Sequence, residues 1–379
     1  METEHPKKFK IALAHDFLIN YGGAEKVLET LMEIFPDAPV FTLLHDEEKM
    51  RGRFSSKKIV PSYLQKFPKW LRKHHRWLMP FFMVIPETLD FRDFDLVISS
   101  SGAWMKGIVT KLNTIHVAYL HSPMRFVWDY NERYLKDEKK TKVGFCARFF
   151  LNYVRMWDRV AAERPDYIIA NSNYTRERIL KYYKRDSMVI YPPAYDEKGK
   201  QGEAARKKSE YFLIVSRLSP YKKIDLAIET FNKLELPLVV IGEGKQEKYL
   251  RKISGKNVKI LGWQPPEKVE EYYKKARALI FPGEDDFGMT MVEAMKYGVP
   301  VIAYKKGGSS EIVEEGITGE FFEAQTSEVL ADGVRRFIEN ENNYDPEKIM
   351  IKAKNFDKEI FKKEFKKFVF QILDGNHNS

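Results

Sequence analysis

The chain has 379 residues, 44% of them hydrophobic and 31% charged, and carries a net charge of +10. That length exceeds what a single hydrophobic core holds, so two domains are expected, and the balance of apolar to charged residues excludes a largely disordered chain. One cysteine, Cys146, excludes an internal disulfide and a cysteine-rich metal site, while the excess of cations points to anionic partners: phosphates, nucleic acid or an acidic membrane face.

The start METEHPKKFK is polar and runs straight into a strand, FKIALAHDF, with no stretch long and apolar enough to cross a membrane; a cytoplasmic protein is expected. Gly22-Gly23 then opens a helix whose apolar positions Val27, Leu28, Leu31, Met32 and Phe35 recur at helical spacing. Strand, glycine turn and helix follow one another in Rossmann order.

Between Ser62 and Phe82 lies a stretch without acidic residues, in which Lys66, Lys69, Arg72, Lys73 and Arg76 interleave with Phe67, Trp70, Trp77 and Phe81. It reads either as an interfacial helix for anionic lipid or as an ordinary surface helix with its apolar side on the core. A nucleic-acid groove is not expected, because no recognised binding module accompanies the patch.

Further strands follow at APVFTLL, DLVISSS, IHVAYLHS and DYIIANS, the last leading into a helix near Thr175. Residues 191–209, rich in proline and charge and without apolar period, read as an interdomain linker. The second half repeats the grammar: YFLIVSR, PLVVIGEG, NVKILGW, RALIFPGE, PVIAYKKGG and GEFFE alternate with helices. The fold class is therefore α/β, two Rossmann-like domains at 1–195 and 196–357 with a ligand cleft between them. The last segment, 358–379, is an amphipathic helix with Ile360, Phe361, Phe365, Phe368 and Val369 on one face, expected to return to the first domain.

Four clusters in the second half sit at strand-to-loop junctions. In SRLSPYKK, Arg217 and Lys222 can meet a diphosphate across a short loop. In IGEGKQ, Gly242, Glu243 and Gly244 form either a ligand approach or a tight turn. In FPGEDDFGMTMVEAMKYGVPVIA, Asp285 lies on a loop, and Gly288, Met289 and Thr290 begin a helix whose free N–H groups favour a phosphate. Glu293 follows among apolar neighbours; paired ribose hydroxyls would satisfy it, or it is simply an acid favoured early in a helix. KKGGSSEIVEEGITG is a glycine pair ahead of a further helix. In the first half, His121 ends a strand in YLHSPMRFVWD, where a sugar contact and a structural role are both open.

In order, GGAEKVL, HSPMRFVWD, NSNYTRERI, SRLSPYKKIDLAIETFN, GEG, EDDFGMTMVEAMKYGVPVIA and GGSSEIVEEGITG resemble glycosyltransferase family four, of GT-B fold, over most of the chain. HSPMRFVWD and RLSPYKKIDLA most resemble mannosyltransferases of O-antigen and exopolysaccharide assembly that use GDP-mannose. By that resemblance Arg217 and Lys222 are the diphosphate-binding pair, Asp285 and Glu293 the acid-x7-acid element, His121 a donor-sugar contact, and Gly22-Gly23 the glycine loop near phosphate and acceptor. Two departures stand out. Asp285 occupies a place normally held by glutamate, with Glu284 adjacent and able to substitute, and Lys223 stands where many relatives have glycine.

The resemblance implies retaining transfer of a hexose to a lipid-linked or glycan acceptor by a front-face route. The chain has no DxD motif in the strand-end context of a metal-dependent transferase, so transfer without a metal or other cofactor is expected, and the interfacial reading of residues 62–82 gives peripheral membrane contact. The alternatives are a sugar-nucleotide epimerase of the same architecture and a non-catalytic basic protein that binds membrane or nucleic acid.

Overall fold

The computed structural model describes residues 9–55, 58–129, 144–194 and 211–375. The expected boundary at 195–196, most of the expected linker and the glutamate- and lysine-rich stretch 130–143 lie outside the described residues. The chain divides into two units, Met1–Tyr191 with Lys362–Ser379, and Pro192–Phe361.

The first unit is built on a parallel sheet of β1 (Ile11–Leu18), β2 (Val40–His45), β3 (Ile59–Pro61), β4 (Leu96–Ser101), β5 (Ile115–Leu120), β6 (Tyr167–Ala170) and β7 (Met188–Val189). Its order is β3-β2-β1-β4-β5-β6-β7, so the winding reverses between β1 and β4. β4 is buried along its whole length, as a strand covered on both faces must be, which explains its run of short residues without polar alternation. The helix Gly23–Ile34 follows β1 and buries Val27, Leu28, Leu31, Met32 and Ile34.

The closing helix, Lys358–Gly375, belongs to this same unit from Lys362 onward. Phe365 is fully buried and sets its ring edge-on to Phe35 and tilted against Tyr119, both at 6.4 Å. Phe361 and Val369 are buried as expected, but Ile360 is 42% exposed and Ile372 and Leu373 take its place on the apolar side. The buried stripe starts one residue later than the sequence suggested, because a helix advances 100° per residue and Ile360 falls beyond the edge of the stripe.

The stretch 62–82 is not one helix. It is a 3₁₀ turn at Tyr63–Lys66, a short helix at Lys69–Lys73 and a further 3₁₀ turn at His75–Met83, with another 3₁₀ turn following it at Ile85–Thr88. Pro68 stands at the N-cap of the short helix and Pro80 inside the longer 3₁₀ turn, where each removes a backbone donor. Leu64, Leu78 and Phe82 are buried, whereas Trp70, Trp77 and Phe81 are 59%, 70% and 49% exposed. Among the described residues no helix is long and apolar enough to cross a membrane.

The second unit has a six-stranded parallel sheet: β8 (Tyr211–Val215), β9 (Leu238–Ile241), β10 (Val258–Gly262), β11 (Ala276–Phe281), β12 (Val301–Tyr304) and β13 (Gly319–Phe322). Its order, β10-β9-β8-β11-β12-β13, reverses between β8 and β11. Helices Ile224–Leu234 and Ser327–Asn340 cover it, with Phe231 and Phe337 edge-on to Phe212 of β8 at 5.1 and 5.9 Å. In such open sheets the space beyond the carboxyl ends of the two strands flanking the reversal has no crossing connection above it, which leaves room for a ligand.

Candidate functional site

In the second unit the two strands that flank the reversal deliver the expected residues to one place. Lys222 closes a single 3₁₀ turn, Pro220–Lys222, after β8, and Asp285 lies on the loop after β11. Their side chains, 16% and 15% exposed, form an ion pair between Nζ and Oδ2. The same ammonium lies 5.2 Å from the ring centre of Tyr221 and 5.7 Å from that of Phe281, two further cation-attracting faces. A small hollow opens here, lined by Ser216, Lys222, Pro282 and Gly283 among others. Gly283 lets the two loops touch, since a Cβ there would stand 2.9 Å from the Lys222 Cα. Arg217 is exposed.

The neighbouring glycines serve the same close approach of loops. Gly242 has φ +137°, and a Cβ on it would sit 1.9 Å from the Ser216 carbonyl oxygen. The Leu218 N–H donates to the Glu243 carbonyl at 2.9 Å, and the Gln246 N–H to the Leu218 carbonyl at 3.2 Å. The IGEGKQ cluster thus holds the Arg217 loop in place through main-chain bonds, and Glu243 itself is exposed. On the other side the Gly308 N–H donates to the Asp285 carbonyl at 2.9 Å, and Gly307 bridges to Asp285 as an isolated strand pair. The third and fourth clusters are therefore stitched together at Asp285.

Gly288, at φ +98°, caps the helix Met289–Met295, with Met289 and Thr290 half-buried at its start. Glu293 on that helix is half-buried and accepts a hydrogen bond from the Tyr273 hydroxyl at 3.0 Å. Burial, and then the Glu293 charge, push the Tyr273 hydroxyl well above its ordinary range, so it stays a donor. Tyr273 went unforeseen because it is an aromatic in a helix 20 residues away in sequence, with no local sign that its oxygen points at an acid.

In the first unit the residues beyond β1 and β4 form a polar knot inside an apolar sheet. Asp16 accepts from the backbone N–H groups of Gly102, Ala103, Trp104 and Met105 at 2.7–2.9 Å, and from the Ser101 hydroxyl at 2.9 Å. Beside it, His121 Nε2 lies 2.8 Å from Ser100 Oγ, which lies 3.2 Å from His15 Nδ1. His15 Nε2 in turn is 3.4 Å from Glu25 Oε1, in the first turn of the helix that Gly22 caps and Gly23 begins. His116, one strand over, is fully buried with Nε2 2.8 Å from Ser99 Oγ. Burial, then the Arg164 charge, lower it to about 3. The signals for these residues were present as the pair His15-Asp16 inside an apolar strand and the run Ser99-Ser100-Ser101 at the end of another.

The family model described as Glycosyltransferase Family 4 matches residues 21–198, and that described as Glycosyl transferases group 1 matches residues 195–356. An uncharacterized glycosyltransferase of Methanocaldococcus jannaschii is 28% identical over 247 residues, which is 63% of this chain and 62% of that protein. The O-antigen chain mannosyltransferase C of Escherichia coli is 23% identical over 199 residues, 48% of this chain and 52% of its own length. The match thus spans less than two thirds of either relative. HepE of Anabaena, whose crystal structure holds UDP, superposes with a TM-score of 0.70 at 17% identity, covering 96% of this chain and 100% of that one. Lys223 sits at φ +56°, in the left-handed region that glycine enters without strain. With two parallel-sheet units and consecutive family models running from residue 21 to residue 356, the chain belongs to the family-four glycosyltransferases of GT-B fold.

Proposed function

We propose that the protein transfers a hexose from a nucleoside diphosphate to a hydroxyl of a lipid-linked or polysaccharide acceptor, with the anomeric configuration retained. The observation that carries this reading is the Lys222–Asp285 pair at the carboxyl ends of β8 and β11, where the second sheet reverses its winding. In this reading the second domain, expected at residues 196–357 and lying within the unit Pro192–Phe361, binds the donor. Residues 1–195 with the closing helix serve the acceptor.

As the glycosyl–phosphate bond breaks, its electron pair passes to the diphosphate, and the permanent cations Arg217 and Lys222 stabilise that growing charge. Asp285 holds the Lys222 ammonium in place, and Glu284 or Asp285 meets the sugar hydroxyls. Glu293, oriented by Tyr273, receives the ribose, and the N–H groups at Gly288, Met289 and Thr290 face phosphate. The acceptor oxygen bonds to the anomeric carbon on the face the phosphate leaves, and its proton passes to the departing phosphate oxygen. No metal is required in this scheme. His121 contacts the transferred sugar, and Gly22-Gly23 lie near phosphate and acceptor.

The donor is proposed to be GDP-mannose. The motifs HSPMRFVWD and RLSPYKKIDLA and the O-antigen mannosyltransferase relative support it. Other relatives are named for N-acetylglucosamine and galactose transfer, so a panel decides. GDP-, UDP- and ADP-sugars are compared for thermal stabilisation, because a ligand bound only by the folded form raises its melting point. Transfer from the stabilising donor is then followed with and without EDTA. Stabilisation by GDP-mannose, with nucleotide released only when acceptor is present, is expected. Release without acceptor would point to an epimerase, and no stabilisation by any donor would overturn the assignment.

We propose further that the protein works at the cytoplasmic face of a membrane. The exposed Trp70, Trp77 and Phe81, with exposed Lys66, Lys69 and Lys73 among them, suit an anionic lipid interface even though they lie on short turns.

A further inference from the structure

We propose that Glu25, His15 and Ser100 are positioning residues that fix the tautomer of His121, so that its ring presents an acceptor nitrogen. The proposal rests on the reading of His121 as a sugar contact only for its kinetic consequence.

Parallel register sets His15 of β1 directly beside Ser100 of β4, and His121 follows the end of β5, the next strand along. His15 is 2% exposed and Ser100 fully buried, so their polar atoms have each other and little water. The backbone of His121 is fixed from both sides: its N–H donates to the Ser101 carbonyl at 2.9 Å, and its carbonyl accepts from Asn171 Nδ2 at 3.0 Å. The ring of Tyr119 lies edge-on at 5.4 Å.

The direction of each bond then follows from what each group can give. A carboxylate only accepts, so the His15 nitrogen facing Glu25, Nε2, carries the proton. With His15 taken as the neutral imidazole protonated there, Nδ1 carries a lone pair and Ser100 donates to it. Ser100 has a single proton. Its oxygen can therefore only accept from His121, which places that ring's proton on Nε2 and a lone pair on Nδ1. Without the carboxylate, the whole chain can run the other way: His15 donates to Ser100, Ser100 donates to His121 Nε2, and Nδ1 of His121 becomes a donor. The loosest link, 3.4 Å from His15 to Glu25, is the one that carries full charge.

The test is nitrogen-15 NMR of the imidazole rings in the full chain labelled at histidine, without ligand. The wild type is expected to show His121 protonated at Nε2; protonation at Nδ1 in the wild type overturns the proposal outright, whatever the variants do. In Glu25→Leu the preference is expected to dissolve into a mixture or reverse. A Glu25→Leu protein that folds and keeps His121 fully protonated at Nε2 also overturns it. In kinetics the same variant is expected to lose about fivefold in kcat/KM for the sugar nucleotide, the worth of one hydrogen bond of about 1 kcal/mol. Affinity for the free nucleoside diphosphate stays unchanged. A tautomer change without that kinetic loss upholds the relay and removes the sugar contact from His121, so the two claims fail separately.

Discussion

Replacing Lys222 by methionine leaves Asp285 as a carboxylate only 15% exposed with its ammonium gone, and replacing Asp285 by leucine takes the carboxylate away from Lys222, 16% exposed. Two unit charges about 4 Å apart attract by about 4 kcal/mol at an effective dielectric near 20. Removing one partner of a well-buried pair costs about 3–5 kcal/mol, whereas replacing both by apolar groups of similar size is often close to neutral. The residual exposure of this pair places each single change near the lower end, about 3 kcal/mol. The double variant Lys222→Met with Asp285→Leu is expected within about 1 kcal/mol of the wild type, a coupling of about 5 kcal/mol across the cycle. Urea titration with hydrogen exchange of peptides from 276–304 reads the second unit separately from the first. All three variants lose most sugar transfer, the double variant included, so stability and turnover part company in that protein. A coupling below about 0.5 kcal/mol would refute the pairing, and wild-type turnover in the double variant would remove both residues from the reaction.

His116 gives a prediction in pH. Its value in the fold is lowered from 6.5 to about 3, so between those limits the unfolded chain holds a proton that the folded chain refuses. The stability contributed is complete above about pH 6.5 and drains away as pH falls toward 3, by about 3 kcal/mol at pH 4.5. His116→Gln, which keeps a partner for Ser99, is expected to flatten the loss of the first unit's urea midpoint between pH 6.5 and 4.5; parallel slopes would refute it. Gly242→Ala forces a Cβ to within 1.9 Å of the Ser216 carbonyl at φ +137°, and is expected to cost about 3 kcal/mol or more, seen as a drop in the second unit's melting transition. Trp70→Ala with Trp77→Ala is expected to weaken pelleting with anionic vesicles about tenfold without changing circular dichroism, and equal pelleting would sink the membrane contact.

The main strands of both sheets could be read from their sequence because buried parallel strands are continuous apolar runs, and Val97-Ile98, Val239-Val240 and Leu279-Ile280 are of that kind. β3 and β7, three and two residues long, could not be, since nothing so short carries a period. The error at 62–82 came from counting basic and aromatic positions across Pro68 and Pro80, each of which stops a regular helix. Arg217, Lys222 and Asp285 could be singled out in the sequence by their strand-end positions, but the bond between the last two, 63 positions apart, could not, because it depends on β8 and β11 becoming neighbours. The polar chain from Glu25 to His121 escaped for the same reason. A histidine in a strand is usually packed core, and only the register of β1 on β4 shows that His15 and Ser100 meet.

The first unit takes its last core residues from the far end of the chain, and this ordering governs its birth on the ribosome. Phe365 and Val369 are translated after the whole of Pro192–Phe361, which is continuous in sequence and able to fold as soon as it emerges. At 5–20 residues per second, the earlier unit waits roughly 10–40 s with the apolar seat beside Phe35 and Tyr119 unfilled. A stop codon placed before Phe365 is expected to destabilise the first unit selectively, since it removes the buried Phe365 and Val369 and leaves Pro192–Phe361 intact.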